Sequence, residues 1–235
     1  MKIILPSFQA NFTAADLAFV GSVLAPRKTG LKALASLLCD NDTLYRVLSN
    51  EQLYEAILEQ PHHLEISTHL FFYILVNQAL KKVGIFDGEL TDYLACLLSD
   101  KVHANTDTRM SPRSALFYAV DLLEKMQSAD SSQQFALMAQ IANQSLFVTG
   151  IFPEHLNNRK QYRAAPDIAY YTSIGSTHYK AAQTHRLAAE FHLEKIFGTL
   201  GNRFEDARQA LNTVGENLVF LHQSERDSLS KWLLN

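Results

Sequence analysis

Helical signals dominate the pattern of apolar and polar positions, and no stretch of four or more residues shows strand alternation between turn signals. Capping residues and prolines mark the starts of predicted helices, and glycines or prolines mark several of their ends. The predicted helices cover residues 13–24, 31–38, 42–48, 50–58, 61–84, 88–102, 111–128, 130–147, 167–197, 204–214 and 224–234. The pattern therefore predicts an all-α, multi-helix bundle with one long helix near 167–197.

A single all-helical domain over residues 1–235 is the most economical organisation for a chain of this length. The sequence shows no repeat period, low-complexity tract or flexible linker, and the stretch from His103 to Met110 is the one internal seam it suggests. The run Leu70–Val76 leaves little room for a polar face. It predicts a helix that is buried on all sides at the centre of the domain.

Composition and charge narrow the class of protein. The chain is 47% hydrophobic and 19% charged, and its net charge of −3 gives no electrostatic reason to expect a nucleic-acid partner. The apolar run in Met1–Pro6 is too short for a signal peptide, and Leu70–Val76 is too short to span a bilayer. Cys39 and Cys96 lie in apolar runs outside any CxxC pair, which predicts buried, reduced thiols. We therefore expect a cytoplasmic protein with no membrane or nucleic-acid partner.

Three histidines, His178, His185 and His192, recur at intervals of seven within the long predicted helix. Seven residues make nearly two α-helical turns, so an unbroken helix would point all three rings the same way. Alanines occupy the positions three and four beyond the first two histidines, which favours the close approach of a neighbouring helix. Because an imidazole is costly to bury without partners, this ladder is the best functional clue in the sequence.

The ladder alone cannot bind one metal ion, because histidines seven apart are separated by about 10 Å along the helix axis. A second predicted helix carries His62, Glu65 and His69 on one face, and iron or zinc sites in bundles are built from facing helices. Paired Glu-x-x-His motifs, which are typical of di-iron bundles, are absent from the sequence. The candidate metal ligands are therefore Glu65, His69, His178 and His185, with His62 and His192 as weaker ones.

Two other interpretations of the ladder stay open. One histidine on an apolar helix face is typical of an axial haem ligand, with attachment non-covalent because no CxxCH motif is present. Alternatively, the imidazoles have structural roles: they bond to tyrosine, glutamine or backbone carbonyl groups, or they lie at the surface or at a dimer interface. The sequence favours the structural interpretation and predicts no cofactor; iron, zinc and haem are the candidates if one is bound.

A segment from Leu146 to Pro153, followed by Tyr170-Tyr171, Gly175 and Tyr179, gives the pattern LFxxGxFP…YYxxxG…Y. Together with Ile66-Ser67, Leu70-Phe71-Phe72 and Asp92-Tyr93-Leu94-Ala95 earlier in the chain, it resembles a recurrent pattern in a set of uncharacterised bacterial all-helical proteins, over roughly residues 60–180. The resemblance implies an all-helical fold and brings no activity with it. Its apolar, glycine and tyrosine positions specify packing more readily than chemistry.

No nucleophile elbow, phosphate-binding loop or dinucleotide-binding turn occurs in the sequence. The leading hypothesis is therefore a helical binding, regulatory or scaffold protein with an unknown protein or small-molecule partner, and with homodimerisation as one option. The competing hypothesis is a metal- or haem-dependent oxidoreductase. Its His/Glu site would lie between the helices predicted over 62–82 and 167–197.

Overall fold

The computed structural model describes residues 3–6, 11–25, 40–59, 65–107, 121–163 and 166–223. Within these ranges every regular element is a helix, so the predicted all-α class is confirmed. None of the described helices is long and apolar enough to cross a membrane. The helices predicted over 31–38 and 224–234, together with Cys39 and His62, lie outside the described residues.

The chain divides into two compact units, one formed by Pro6–Lys101 and the other by Met1–Leu5 with Val102–Asn235. Because compact units of this kind belong to one domain in some proteins and to two in others, the single domain over 1–235 stays a prediction. The helices that begin in the first unit are α1 (Ala14–Leu24), α2 (Asn41–Leu48), α3 (Glu51–Glu59), α4 (Thr68–Lys82) and α5 (Gly88–Asp107). The two units divide between Lys101 and Val102, next to the seam predicted from His103, but residues 103–107 belong to α5 and do not form the loop predicted there.

Side-chain caps set the starts of these helices. Thr13 and Asp16 form a capping box at α1, as the predicted start at Thr13 requires. The prediction that Pro61 opens the next long helix is wrong for the described part of that segment, because residues 65–67 are not helical. Instead, α4 begins after Ser67, which has ψ 146° and accepts a hydrogen bond from the backbone N–H of Leu70 through its hydroxyl.

The apolar helix α4 forms much of the core of the first unit, as its sequence predicts. Its residues Leu70 and Phe72 to Val76 are buried, and only Phe71 in that run is partly exposed. The ring of Tyr73 stacks on Tyr45 of α2 with centroids 6.0 Å apart and planes 8° from parallel. At the start of α5, a Cβ on Gly88 would collide with the Tyr45 ring, so glycine is needed there for the close approach of the two helices.

The described helices of the second unit range from five to 21 residues in length. Residues 121–126 are helical, and α6 starts from a capping box between Asp130 and Gln133, as predicted. The helices that follow are α6 (Ser131–Ile151), α7 (Pro153–Arg163), α8 (Ile168–Gln183), α9 (Arg186–Glu190), α10 (Glu194–Asn202) and α11 (Phe204–Gln223). Helix α6 packs against both α8 and α11, and α8 also packs against α10.

The prediction of one unbroken helix over 167–197 is wrong, because the segment forms α8, α9 and the first part of α10. Helix α8 ends at Gln183, and His185 has a non-helical ψ of 141° as the N-cap of α9. His192 follows α9 with a φ of 56°, in the left-handed region that ends helices. The predicted helix end at Gly198 is also wrong, because Gly198 lies inside α10.

Two glycines of the LFxxGxFP…YYxxxG…Y segment mark close helix contacts. A Cβ on Gly150 of α6 would lie 2.6 Å from Cβ of Leu211 in α11. A Cβ on Gly175 of α8 would collide with the ring of Phe204 and would lie 2.9 Å from Cβ of Ser145 in α6. Both glycines therefore serve packing, as that pattern predicts.

Candidate metal centre

Helices α4 and α5 bring together three buried side chains with metal-binding atoms: His69, Asp92 and Cys96. His69 lies in the first turn of α4, whereas Asp92 and Cys96 are one turn apart on α5. One ligand atom from each lies within 4.8 Å of the other two, and no other such group of three occurs among the described residues. All three residues are nearly excluded from solvent, with exposed fractions of 7%, 1% and 8%.

The imidazole of His69 connects the carboxylate to the thiol. Its Nε2 lies 2.7 Å from Oδ1 of Asp92, and its Nδ1 lies 3.6 Å from Sγ of Cys96. An ionised carboxylate only accepts hydrogen bonds, so this network assigns the ring proton to Nε2. The lone pair of Nδ1 is therefore directed to the sulfur atom, and Sγ also lies 3.7 Å from Oδ1 of Asp92.

The separation of Nδ1 and Sγ suits two ligands of a single ion. Zinc binds imidazole nitrogen at about 2.0–2.1 Å and thiolate sulfur at about 2.3 Å, which places tetrahedral ligands about 3.5 Å apart. The observed 3.6 Å between Nδ1 of His69 and Sγ of Cys96 is close to that value. Asp92 then has the outer role in which a carboxylate accepts the second N–H of a metal-bound histidine and fixes its orientation.

Two tyrosines that interact with Asp92 add no charge of their own to the cluster. Burial raises the pKa of Tyr45, and the negative charge of Asp92 adds to that effect. Burial likewise raises the pKa of Tyr73, with smaller contributions from Tyr45 and Asp92. Both phenols therefore stay neutral at physiological pH, and a buried carboxylate and thiolate would require a positive charge between them.

Among the residues predicted from sequence, His69 alone belongs to this cluster. Glu65 precedes α4 and is exposed, so it does not share a helix face with His69. His178 donates from Nδ1 to the carbonyl oxygen of Ile174, one turn earlier in α8, at 2.8 Å. His192 is exposed, and His62 lies outside the described residues.

His185 has a structural role in the second unit. Its Nδ1 accepts a hydrogen bond from the backbone N–H of Leu187 at 3.2 Å, so the imidazole caps α9. Its Nε2 lies 2.9 Å from the hydroxyl oxygen of Ser131, and its ring stacks on Phe135 at 5.1 Å between centroids. These contacts agree with the interpretation that the ladder histidines bond to neighbouring groups.

Sequence analysis missed the pair on α5, although one signal was present. Asp92 lies at the edge of an apolar run, and Cys96 lies four residues later, in the middle of that run. Cys96 is buried, as predicted. A carboxylate at the start of such a run requires a buried partner. That partner is His69, which lies 23 residues away along the chain.

The chain matches no protein-family model, no curated protein and no solved structure. The resemblance over roughly residues 60–180 therefore stays a hypothesis. Any function has to be inferred from the geometry of the described residues.

Proposed function

We propose that this protein is a helical metal-binding protein of the regulatory class, with zinc held by His69 and Cys96 and oriented through Asp92. The proposal rests on two buried contacts of the His69 ring. Its Nε2 lies 2.7 Å from Oδ1 of Asp92, and its Nδ1 lies 3.6 Å from Sγ of Cys96. The cluster supplies one thiol that can bind as a thiolate, one imidazole nitrogen and one outer carboxylate. Zinc binds this combination of nitrogen and sulfur donors.

Burial supports metal binding over free thiol chemistry. A nucleophilic cysteine needs partial exposure, but Cys96 is 8% exposed and its sulfur lies beside a carboxylate. The negative charge of that carboxylate opposes formation of a free thiolate, whereas a zinc ion would stabilise both anions. The thiol must also stay reduced, which suits the cytoplasmic location expected from the sequence.

The number of donors supports a regulatory role. Structural zinc sites are closed by four protein ligands, whereas sites that bind a further molecule keep at least one position open. With His69 and Cys96 as the two ligands, the remaining positions would be filled by another molecule, which has to enter a cluster that is now buried. The proposal thus joins the binding or regulatory role of the leading hypothesis to the metal that only the competing hypothesis included.

Zinc binding to the purified protein is the test of this proposal. Protein prepared without chelator and reloaded with zinc is expected to retain one equivalent by elemental analysis after desalting. Cobalt in place of zinc should give an intense thiolate-to-metal absorption band, which reports directly on the Cys96 sulfur. Cys96→Ala should abolish both the retained zinc and this band.

The second cysteine provides a matched control for loss of a thiol. Cys39→Ala should retain the wild-type zinc content and the wild-type cobalt spectrum. A wild-type protein that holds no stoichiometric metal would overturn the proposal, and so would a Cys96→Ala variant with unchanged metal content and spectrum.

A further inference from the structure

We propose that Asp16 is a positioning residue for the metal centre, and that it couples occupation of the centre to the docking of α1. This inference rests on the proposed metal binding. It concerns a residue 53 positions before His69 in the sequence (69 − 16), on a helix that carries none of the candidate ligands.

Asp16 is a fully buried carboxylate with an exposed fraction of 0%. Its Oδ2 accepts a hydrogen bond from the backbone N–H of Thr13 at 2.8 Å, within the capping box of α1. Its Oδ1 accepts a hydrogen bond from the backbone N–H of Ser67 at 2.7 Å, 51 residues along the chain. The two oxygens of one side chain therefore join the starts of two helices.

Ser67 is the residue that sets the first turn of α4. Its hydroxyl accepts a hydrogen bond from Leu70 N–H at 3.1 Å, and its carbonyl oxygen accepts one from Phe71 N–H at 3.0 Å. His69 is the second residue of α4, so it belongs to the turn that these two hydrogen bonds close. A shift of Ser67 would therefore move the imidazole relative to Cys96, and metal ligands tolerate displacements of only about 0.5 Å.

The negative charge of Asp16 is also well placed for α4. The N-terminal end of a helix carries a partial positive charge, which favours an anion at that position. Because Asp16 is buried and hydrogen-bonded, salt screens its attraction to the helix end much less than it screens the attraction within an exposed ion pair. The contact therefore stabilises the first turn of α4 in its observed position.

Coupling between two sites is reciprocal. If Asp16 holds His69 in position for the metal, then a metal that fixes His69 must in turn stabilise the bond between Asp16 and Ser67. Occupation of the centre then favours the docked position of α1. A partner that binds or displaces α1 would change the zinc affinity of the protein.

The main test compares the zinc affinity of folded Asp16→Asn and folded wild-type protein by competition with a chromogenic chelator. The asparagine amide has an NH₂ group in place of one acceptor oxygen, so one of the two backbone N–H groups would face another donor. We expect the affinity to fall at least about fivefold. Thr13→Ala is the matched control, because it removes the hydroxyl that caps Asp16 N–H at 3.1 Å but leaves both carboxylate contacts.

Hydrogen exchange separates coupling from simple destabilisation. Zinc should slow exchange of the Ser67 amide in the wild-type protein and in Thr13→Ala, but not in Asp16→Asn. If Asp16 has a purely structural role, its replacement should speed exchange of the Ser67 amide by the same factor with and without zinc. Such a result, or a folded Asp16→Asn variant with wild-type zinc affinity, would overturn the inference.

A second pair of variants breaks the same bond from the other side, should Asp16→Asn fail to fold. Ser67 has a φ of −64°, which proline adopts, so Ser67→Pro removes the N–H at little backbone cost. Ser67→Ala removes only the hydroxyl cap and serves as its control. Zinc affinity should be lower in Ser67→Pro than in Ser67→Ala, and equal affinities would contradict the coupling. A wild-type protein without zinc would instead show that the proposed function itself is wrong.

Discussion

Nε2 of His69 lies 2.7 Å from Oδ1 of Asp92 where both side chains are almost completely buried. Hydrogen bonds to a charged group in such surroundings are stronger than those between neutral groups. Asp92 therefore fixes both the proton position and the orientation of the imidazole.

Asp92→Asn should lower zinc affinity by about 10- to 100-fold, the range found when an outer partner of a metal ligand is lost. The amide has the same shape but no charge, so it orients the ring less strongly. Isothermal titration with zinc measures the effect. Asp42→Asn, an exposed carboxylate on α2, should bind zinc as the wild-type protein does. Equal losses in both variants would show that general charge, and not the contact with His69, governs affinity.

Stability should fall as the pH rises through the alkaline range, because of Tyr45 and Tyr73. Burial raises the pKa of both phenols in the folded protein. Their contribution is therefore fully present below about pH 10, the unfolded value, and is lost above it as the unfolded chain releases protons that the folded chain retains. Burial lowers the pKa of Lys81 and Lys101, which has the opposite effect on stability over the same range.

A comparison of variants isolates the contribution of one phenol. Tyr73→Phe should reduce the alkaline loss of unfolding free energy by up to about 1.4 kcal/mol per pH unit, measured by urea unfolding between about pH 9 and 11. Tyr170→Phe removes the hydroxyl of a ring that is 42% exposed and serves as the control for loss of a phenol. If the two variants have the same slope, burial of Tyr73 does not explain the alkaline instability.

Gly175→Ala should destabilise the protein by about 1–3 kcal/mol, because the added methyl group would overlap the ring of Phe204. Gly215→Ala provides the control within the same unit. It also lies inside a helix, but its nearest neighbour, the carbonyl oxygen of Ile151, would be at an ordinary 3.6 Å. That variant should gain about 0.5–1 kcal/mol from the higher helix propensity of alanine. Thermal and urea unfolding measure both effects, and two changes of the same sign would argue against the packing explanation.

His192→Gly should stabilise the protein by several tenths of a kcal/mol up to about 1 kcal/mol. His192 has a φ of 56°, which glycine adopts without a steric penalty, and its side chain is exposed. His192→Ala keeps the penalty and should give no such gain. Urea unfolding of the two variants distinguishes them. A less stable His192→Gly would indicate that the imidazole makes contacts that outweigh the backbone strain.

Several helix starts could be predicted from sequence because they depend on local chemistry, although those of α4, α9 and α10 could not. Thr13 and Asp130 each cap a helix through contacts with residues three positions away. The end of α8 at Gln183 could not be predicted, since neither glycine nor proline occurs from residue 176 to 197. There the chain turns at His185, whose ring bonds to Ser131 and stacks on Phe135, more than 45 residues earlier in the sequence.

The candidate centre was only partly predictable for the same reason. His69 was identified from its residue type, but its sequence neighbour Glu65 proved to lie before the helix. Asp92 and Cys96 become neighbours of His69 only when α4 packs on α5, and the pattern within either helix does not specify that contact. Local signals thus predicted the helices, whereas the site depends on tertiary contacts between them.

Asp92 and Cys96 occupy successive turns of α5, so the geometry of one helix sets the distance between them. His69, by contrast, belongs to another element and is the one donor with an independent degree of freedom. Release of an ion would therefore need only a small local opening at the beginning of α4, with the rest of the unit folded. The rate at which a bound ion exchanges would follow the rate of local opening of that single turn. The bound state would therefore last for a much shorter time than the folded protein takes to unfold globally.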